Sequence, residues 1–366
     1  MAATVPIDQV LSIGVEEEFV LADATTRVSA PRADDVVEKA RLRLGDNAQH
    51  EFFATQVEFT TRPRMTAEEV RAELVRGRQA GAAAAADTGC LLVAGGSAVL
   101  NRSPLPVAPN ARYETIARRH LGGMRSESSG CHVHVGTLTR GDALLLSNHL
   151  GPWLPALQAL CVNSPFAAGE DRHCASWRHF DIQALPTVGP TPILDEPAYE
   201  RTADRLVADR TLLDRKMIYW YARPSEHCPT LEIRIADANP DLDVVMLFTL
   251  LLRGLATTLL AEARYGRPWP SMDRRLLTEA HRRVAVDGLP ALTTDPRTGM
   301  LISTAALLDR LVERSRPGLA AAGDEDLVAA LLARFHSRGT PADRQRAVYR
   351  ERGRLADVVD WLAVRP

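Results

Sequence analysis

Apolar and polar residues alternate with period two in four short stretches of the chain. In 12–19, Ile13, Val15 and Phe19 fall on one side with Glu17, while Glu16 and Glu18 fall on the other. In 56–59, Val57 and Phe59 take the apolar side and leave Glu58 opposite. In 131–135 the two histidines, His132 and His134, share the polar side, as do Glu232 and Arg234 in 231–235. Successive side chains of a strand point to opposite faces, so this pattern predicts strands over 11–21, 56–61, 131–137 and 230–236, with a fifth over 90–94. Alternation of this kind fits a sheet covered by helices on one face only. The expected fold is α+β, with a mostly antiparallel sheet whose other face is polar.

Between the strands the period lengthens to that of a helix. Thr66 followed by Glu69 is a capping box, Val70 and Leu74 continue at helical spacing, and Gly89 marks the stop. The alanine run 82–86 sits inside that helix. Further helices are predicted over 34–44 (closed by Gly45), 113–120, 142–161, 199–214 and 242–264, with four more between 272 and 364. The last hundred residues read as wholly helical. No internal repeat or low-complexity linker divides the chain. One catalytic domain over 1–366 is therefore expected, with a motif-bearing core over 11–237 and a helical C-terminal part over 238–366.

Charge changes the picture mainly by exclusion. The 366 residues carry 44 Lys+Arg against 46 Asp+Glu, a net charge of −2, which leaves no excess of basic charge for a nucleic-acid backbone. The most apolar run, 244–252, stops at Arg253 and is too short for a membrane span, so it reads as a buried helix. Residues 1–9 lack the features of a secretory signal. The five cysteines are scattered without a C-x-x-C pair, against a disulfide framework or a cysteine-rich zinc site. A cytoplasmic location is expected, with no membrane and no nucleic acid as partner.

The candidate chemistry lies on the polar face. If the four alternating strands are neighbours, Glu16, Glu18, Glu58, Glu232, His132, His134 and Arg234 converge. Any one such strand alone is more often a half-solvated edge, and a His-x-His strand is more often structural than metal-binding. Together, four carboxylates repel one another unless cations are supplied, and one arginine does not balance them. Oxygen ligands with few nitrogens select Mg²⁺ or Mn²⁺ over zinc. Such a cleft suits the triphosphate of ATP and a transferring phosphoryl group.

The segments Gly14-Val15-Glu16-Glu17-Glu18-Phe19, Gly130-Cys131-His132-Val133-His134-Val135-Gly136, Asn163-Ser164-Pro165-Phe166, Ser176-Trp177-Arg178, Arg223-Pro224 and Thr230-Leu231-Glu232-Ile233-Arg234-Ile235-Ala236-Asp237 occur in one order along the chain. This order resembles that of the carboxylate–amine ligases, the glutamate–cysteine ligase type 2 family within the glutamine synthetase-like fold. The resemblance spans roughly 11–237. It implies an ATP-dependent ligase that phosphorylates a carboxylate and lets an amine attack the acyl phosphate, giving an amide, ADP and phosphate. It further implies Glu16, Glu18, Glu58 and Glu232 as Mg²⁺ ligands, with His132 beside them and Glu51 as a further acidic position that needs a bend to reach the site. Arg234 is implied as the residue that neutralises the transferred phosphoryl group, assisted by Glu232. Arg178, Arg223 and His134 are the expected substrate contacts. The implied partners are a small-molecule carboxylate and an amine, with room for a homo-oligomer.

Two segments depart from the family pattern. Gly95-Gly96-Ser97-Ala98 stands where Gly-Thr-His-Pro is usual, and Trp220-Tyr221-Ala222 where Trp-Trp-Asp is usual. Both lie near the expected substrate positions rather than the metals. The phosphoryl-transfer chemistry is therefore better supported than glutamate and cysteine as the substrates, and other acid and amine partners are an equal expectation. Gly95-Gly96-Ser97 lacks the ending of a P-loop and reads as a plain turn. Cys131 alternates away from the histidines and reads as core, Cys228 as part of a loop, and Arg172 as a further candidate for gripping a carboxylate. Two other functions compete: a metal-dependent hydrolase using His132-x-His134, and a nucleotide-sensing protein that kept the fold without catalysis. The first would want more His or Asp ligands and ignore ATP. The second would have lost a ligand carboxylate, and none of the four main positions is lost.

Overall fold

The computed structural model describes residues 5–365, so part of the expected leader-free N-terminus lies outside the described residues. The strands are β1 (Ser12–Asp23), β2 (Ala48–His50), β3 (Gln56–Thr60), β4 (Cys90–Val93), β5 (Gly130–Gly136), β6 (Phe166–Ala167), β7 (Glu170–Asp171), β8 (Ala222–Pro224), β9 (Thr230–Asp237), β10 (Leu292–Thr294), β11 (Leu301–Ser303) and β12 (Ala363–Val364). The helices are α1 (Ala33–Leu44), α2 (Ala67–Ala86), α3 (Ala111–His120), α4 (Arg140–Leu150), α5 (Leu154–Cys161), α6 (Arg178–Asp181), α7 (Glu196–Ala208), α8 (Leu242–Arg264), α9 (Arg274–Asp287), α10 (Thr304–Ala322), α11 (Glu325–Arg338), α12 (Pro341–Arg352) and α13 (Leu355–Leu362).

The main sheet runs β12-β4-β1-β5-β9-β8, with β3 on β1 and β2 beyond it, and its pairings are antiparallel. The four alternating strands are therefore neighbours, as the pattern required. The long strand β1 makes this work. It pairs with β5 through Ser12–Glu17 and then with β4 through Val20–Asp23 along one edge, and with β3 through Glu16–Val20 along the other. Glu18 sits opposite Glu58, Glu16 opposite His132, and His134 opposite Glu232.

The apolar face packs Ile13, Val15, Val133, Val135, Leu231 and Ile233 against Leu146, Leu157, Leu247 and Leu251 of α4, α5 and α8. Helix α8 is long and apolar enough to cross a membrane, but its apolar window is 94% buried inside the protein, which makes it the core helix that the run at 244–252 suggested. Beside it, Phe19, Leu21, Val57 and Phe59 meet Val36, Val37 and Ala40 of α1 and alanines of α2. The Thr66–Glu69 capping box opens α2 as expected. Glu17 shares the apolar side because Arg78 of α2 reaches it with two bonds of 3.0 and 2.6 Å, pairing a charge that would otherwise be stranded.

Several expectations need correction. Helices do not cover one face only. Val20, Ala22 and Val93, on the opposite face, pack under Val358, Val359 and Leu362 of α13. The uninterrupted apolar run 19–22 is the physical reason, since a strand buried on both sides loses its alternation. The helix expected over 142–161 is divided at Gly151-Pro152 into α4 and α5 by a 3₁₀ turn. The one expected over 199–214 begins earlier, capped by Asp195, and ends at Ala208. Five α-helices, not four, follow Met272, and the tail is not wholly helical: β10 and β11 form a hairpin, and β12 adds a strand to the main sheet beside β4.

Candidate active site

The polar face of β3, β1, β5 and β9 forms the floor of a cleft of about 450 Å³. Phe52, Tyr113, Ile116, Met124, Leu185 and Val188 supply an apolar wall, and Ser225, His227 and Cys228 lie along its lining. The expected residues Glu16, Glu18, Glu51, Glu58, His132, His134, Arg178, Arg223, Glu232 and Arg234 all line it.

The carboxylates divide into two groups. Glu18, Glu51 and Glu58 each place an oxygen within 4.8 Å of the others. Glu58 is set by its register with Glu18. Glu51 arrives from the bend that follows β2, which answers its awkward spacing in the sequence. Glu18 also accepts a 2.5 Å bond from the Gly130 amide. Burial, together with the charge of Glu18, pushes the Glu51 carboxyl up to about 8. Burial and the charges of Glu16 and Glu51 push Glu58 up as well. Negative charge is thus crowded here, and Arg234 only partly offsets it.

In the second group the charges are paired. Glu16 lies 3.3 Å from His132 Nδ1 and 3.0 Å from His134 Nε2. Burial works to raise its carboxyl, but the two imidazoles outweigh burial and hold it well below the usual range. Glu232 accepts from Arg223 at 2.8 and 3.3 Å and from Arg234. Burial again opposes ionisation, and Arg234 and Arg223 overcome it. His134 also meets Thr230 Oγ1 at 2.8 Å, and although burial works to lower it, its contact with Glu16 raises it. Burial, with Arg234 nearby, holds His132 below its usual value; its Nε2 has no hydrogen-bond partner and lies 3.7 Å from Glu18.

Arg234 spans the two groups. Its guanidinium packs 5.7 Å from the centre of the Tyr219 ring, and the charges of Glu232, Glu18 and Glu16 outweigh burial to keep it cationic. Arg223, expected to grip a substrate, instead turns to Glu232 and to the carbonyls of Lys216 and Ile218. Arg178, the first residue of α6, reaches the cleft lining. Arg172 does not belong here: it stacks 4.8 Å from the Trp177 ring centre and pairs with Glu170. Cys131 is buried core, its thiol pushed up by burial, and Cys228 is an exposed loop residue. The two histidines converge on Glu16 rather than on a shared ligand point, which counts against the hydrolase reading.

Sequence reasoning missed the apolar wall and Tyr219. The wall comes from Tyr113 and Ile116 of α3, a helix expected without its aim at the cleft, and from the 51–53 bend and loop residues around 182–188, which carry no periodic signal. Tyr219 adjoins the divergent Trp220-Tyr221-Ala222 segment, and that was the only hint of it.

A family model described as glutamate–cysteine ligase family 2 matches residues 12–360. A protein of Salinispora tropica provisionally named glutamate–cysteine ligase 2 is 39% identical over 355 residues, covering 96% of this chain and 94% of that one. A provisionally named glutamate–cysteine ligase 2-1 of Saccharopolyspora erythraea is 39% identical over 359 residues, covering 97% and 94%. Among solved structures, the glutamate–cysteine ligase of Francisella tularensis, in complex with AMP, superposes with a TM-score of 0.73 at 12% identity over 97% of this chain and 88% of that one. A bifunctional glutathione synthetase from Pasteurella multocida gives 0.68 at 15% identity over 96% and 52%, a likeness of fold. With a match that runs through every strand of the cleft floor and relatives alike over nearly their whole length, the chain belongs to glutamate–cysteine ligase family 2.

Proposed function

We propose that the chain is an ATP-dependent carboxylate–amine ligase acting through an acyl phosphate, with an amino acid or related carboxylate and an amine as substrates. The observation that carries this reading is the division of the cleft floor into an uncompensated acidic group and a cation-braced one, with Arg234 between them. A carboxylate oxygen of the acid would attack the γ-phosphorus of ATP, and the bond to ADP would break. The amine nitrogen would then attack the acyl carbon, phosphate would leave, and the amine would lose a proton.

The donor set fits a hard divalent cation. Glu18, Glu51 and Glu58 offer oxygens only, their mutual repulsion calls for positive charge, and His132 Nε2 stands beside them without a partner. Mg²⁺, or Mn²⁺, would be held by these residues together with Glu16 and Glu232. When bound it would neutralise charge on the ATP phosphates. Arg234, freed from part of its acidic surroundings, would face the transferring phosphoryl group, and Glu232 and Tyr219 would fix its plane. The apolar wall with Phe52 and Tyr113 suits the face of a purine. Residues 1–366 are read as one catalytic unit. This is supported by β12 in the main sheet and by Gln345 of α12, which donates to Asn163.

The test is product analysis with ATP, Mg²⁺ and a panel of carboxylates and amines. ADP and phosphate should form only with an acid present, and hydroxylamine should trap its hydroxamate. AMP and pyrophosphate as products would overturn the phosphoryl-transfer reading.

A further inference from the structure

Six residues, five from the ordered motifs and Gly96 from the divergent turn, contact no metal or substrate in the reading above: Gly96, Gly130, Asn163, Ser164, Ser176 and Asp237. The structure gathers them around one buried carboxylate and one buried guanidinium. Resting in part on the proposed function, we propose that Asp237 is the positioning residue for Arg178. It would hold that guanidinium at the cleft floor to receive an oxyanion of a substrate, either a carboxylate or a phosphate.

Asp237 ends β9, three residues beyond Arg234, and is 2% exposed. Its Oδ2 accepts from the Asn163 amide at 2.8 Å and from Ser164 Oγ at 2.7 Å, and its Oδ1 accepts from Ser176 Oγ at 2.9 Å. Ser164 Oγ in turn accepts from the Arg178 amide at 3.1 Å. Ser164 and Ser176 also form a backbone bridge, and the Trp177 amide donates to the Ser164 carbonyl. Asp237 therefore clamps both segments that launch Arg178. The space needed is left by two glycines. A Cβ on Gly96 would lie 2.5 Å from the Asp237 carboxyl, and one on Gly130 would lie 2.4 Å from Arg178 Nη2. The turn at Gly95-Gly96-Ser97 thus has a role in making room.

A carboxylate that merely tied loops together would not require the guanidinium to be left as it is. Arg178 is 6% exposed, yet it donates only long bonds of 3.3 and 3.4 Å to the Arg234 carbonyl. No side-chain carboxylate pairs with it among the described residues. A buried cation in that condition is unfavourable until an anion meets it, and the planar guanidinium presents paired donors to an oxyanion. It lines the cleft together with His132, Ser128 and Ile182.

Thermal melting at constant ionic strength tests this without turnover. Inorganic phosphate and, separately, L-glutamate are titrated into wild type, Arg178→Met, Asp237→Asn and Ser176→Ala. Wild type should be stabilised by at least one of the two, and Arg178→Met should lose that response; the anion concerned identifies the source of the oxyanion. Asp237→Asn should raise its half-saturating concentration at least about tenfold, the scale of losing a charge-assisted hydrogen bond, and Ser176→Ala about threefold. No response in wild type, or an unchanged one in Arg178→Met, overturns the oxyanion site. An unchanged response in Asp237→Asn overturns the positioning role. Should Asp237→Asn not fold, an unchanged half-saturation in Ser176→Ala overturns it instead. Failure of the ligase reading would show separately, as wild type that releases no ADP. Where ADP is released, Asp237→Asn should raise KM for the substrate carrying that anion by more than it lowers kcat, a split that a general loss of stability would not give.

Discussion

Two groups of carboxylates lie side by side on one sheet face, yet their surroundings differ. Around Glu16 and Glu232, two imidazoles and two guanidiniums meet the negative charge, and both carboxyls are held below their usual range. Around Glu18, Glu51 and Glu58 no such set of cations is drawn in, and Glu51 and Glu58 are pushed up. The same residue type therefore serves opposite ends. One group meets cations of the folded chain and braces Arg234, while Glu16, His134 and Glu232 still place ligand atoms within 4.8 Å of one another. In the other, under the proposed function, a divalent cation would supply the missing balance. The difference teaches that clustered carboxylates indicate a metal only after the protein's own cations have been counted.

The most direct way to break this comparison is to neutralise one carboxylate in each group. Glu58→Gln and Glu232→Gln should each lower ATP turnover by more than about 10³-fold, since each removes charge at a phosphoryl-transfer site. Their stabilities should move in opposite directions. Glu58→Gln relieves a repulsion, so the metal-free protein should melt a few degrees higher. Glu232→Gln leaves Arg223 and Arg234 with no carboxylate between them, a change on the order of 3 kcal/mol, and should melt lower. Melting curves taken with EDTA would decide. Shifts of the same sign in both variants would erase the distinction between the groups.

How far this was legible in the sequence depends on the element. Period-two alternation in β1, β3, β5 and β9 placed Glu16, Glu58, His132, Glu232 and Arg234 on one face, because side-chain direction in a strand follows from position alone. Adjacency of those strands was an inference that β1 made true by pairing along both edges. Glu51 needed a bend that no periodicity encodes. What could not be read was which charges pair: that Arg223 would turn to Glu232, or that Arg78 would cross from α2 to Glu17, depends on long side chains meeting across elements. The loop part of the apolar wall was equally silent, since loops carry no repeating pattern, and α3 was legible as a helix but not in its aim at the cleft. The helix over 242–264 was legible to the residue because Asp241 caps it and the apolar run fills its core-facing length.

Arg234→Lys sharpens the comparison at the point where the two groups meet. Lysine keeps the positive charge that balances Glu232 but lacks the planar fork that could serve both Glu232 and a phosphoryl oxygen. If Arg234 acts in the transition state, kcat should fall about 10²–10³-fold with little change in apparent ATP affinity. Steady-state kinetics with a melting curve on the same sample separates the roles. A normal kcat, or a loss that only follows a lowered melting temperature, would assign Arg234 to charge balance within its own group.

The smallest effect concerns an imidazole outside both groups, and it asks whether the protein's own charges govern histidine here as they govern glutamate. Contact with Glu16 raises His134, whereas burial lowers His179 to about 4, with Arg178 and Arg282 adding to the effect. The groups facing His179 are Arg178 beside it in α6, Arg282 and His281 of α9, and the Tyr221 hydroxyl at 3.4 Å. None of these supplies a negative charge. A histidine whose folded value lies below its unfolded value of about 6.5 contributes its stability fully above that value. As the pH falls through 6.5 the unfolded chain takes up a proton that the folded chain refuses, so stability declines until about 4. Across that window the decline from His179 amounts to roughly 3 kcal/mol. His179→Gln should lack this component, so its unfolding free energy should fall less steeply than that of wild type between pH 6.5 and 4.5, while the two profiles run parallel above pH 7. Urea unfolding of both proteins across that range provides the measurement. Parallel profiles throughout would mean that His179 takes up its proton as readily in the folded chain as in the unfolded one, so that burial and Arg178 do not govern it.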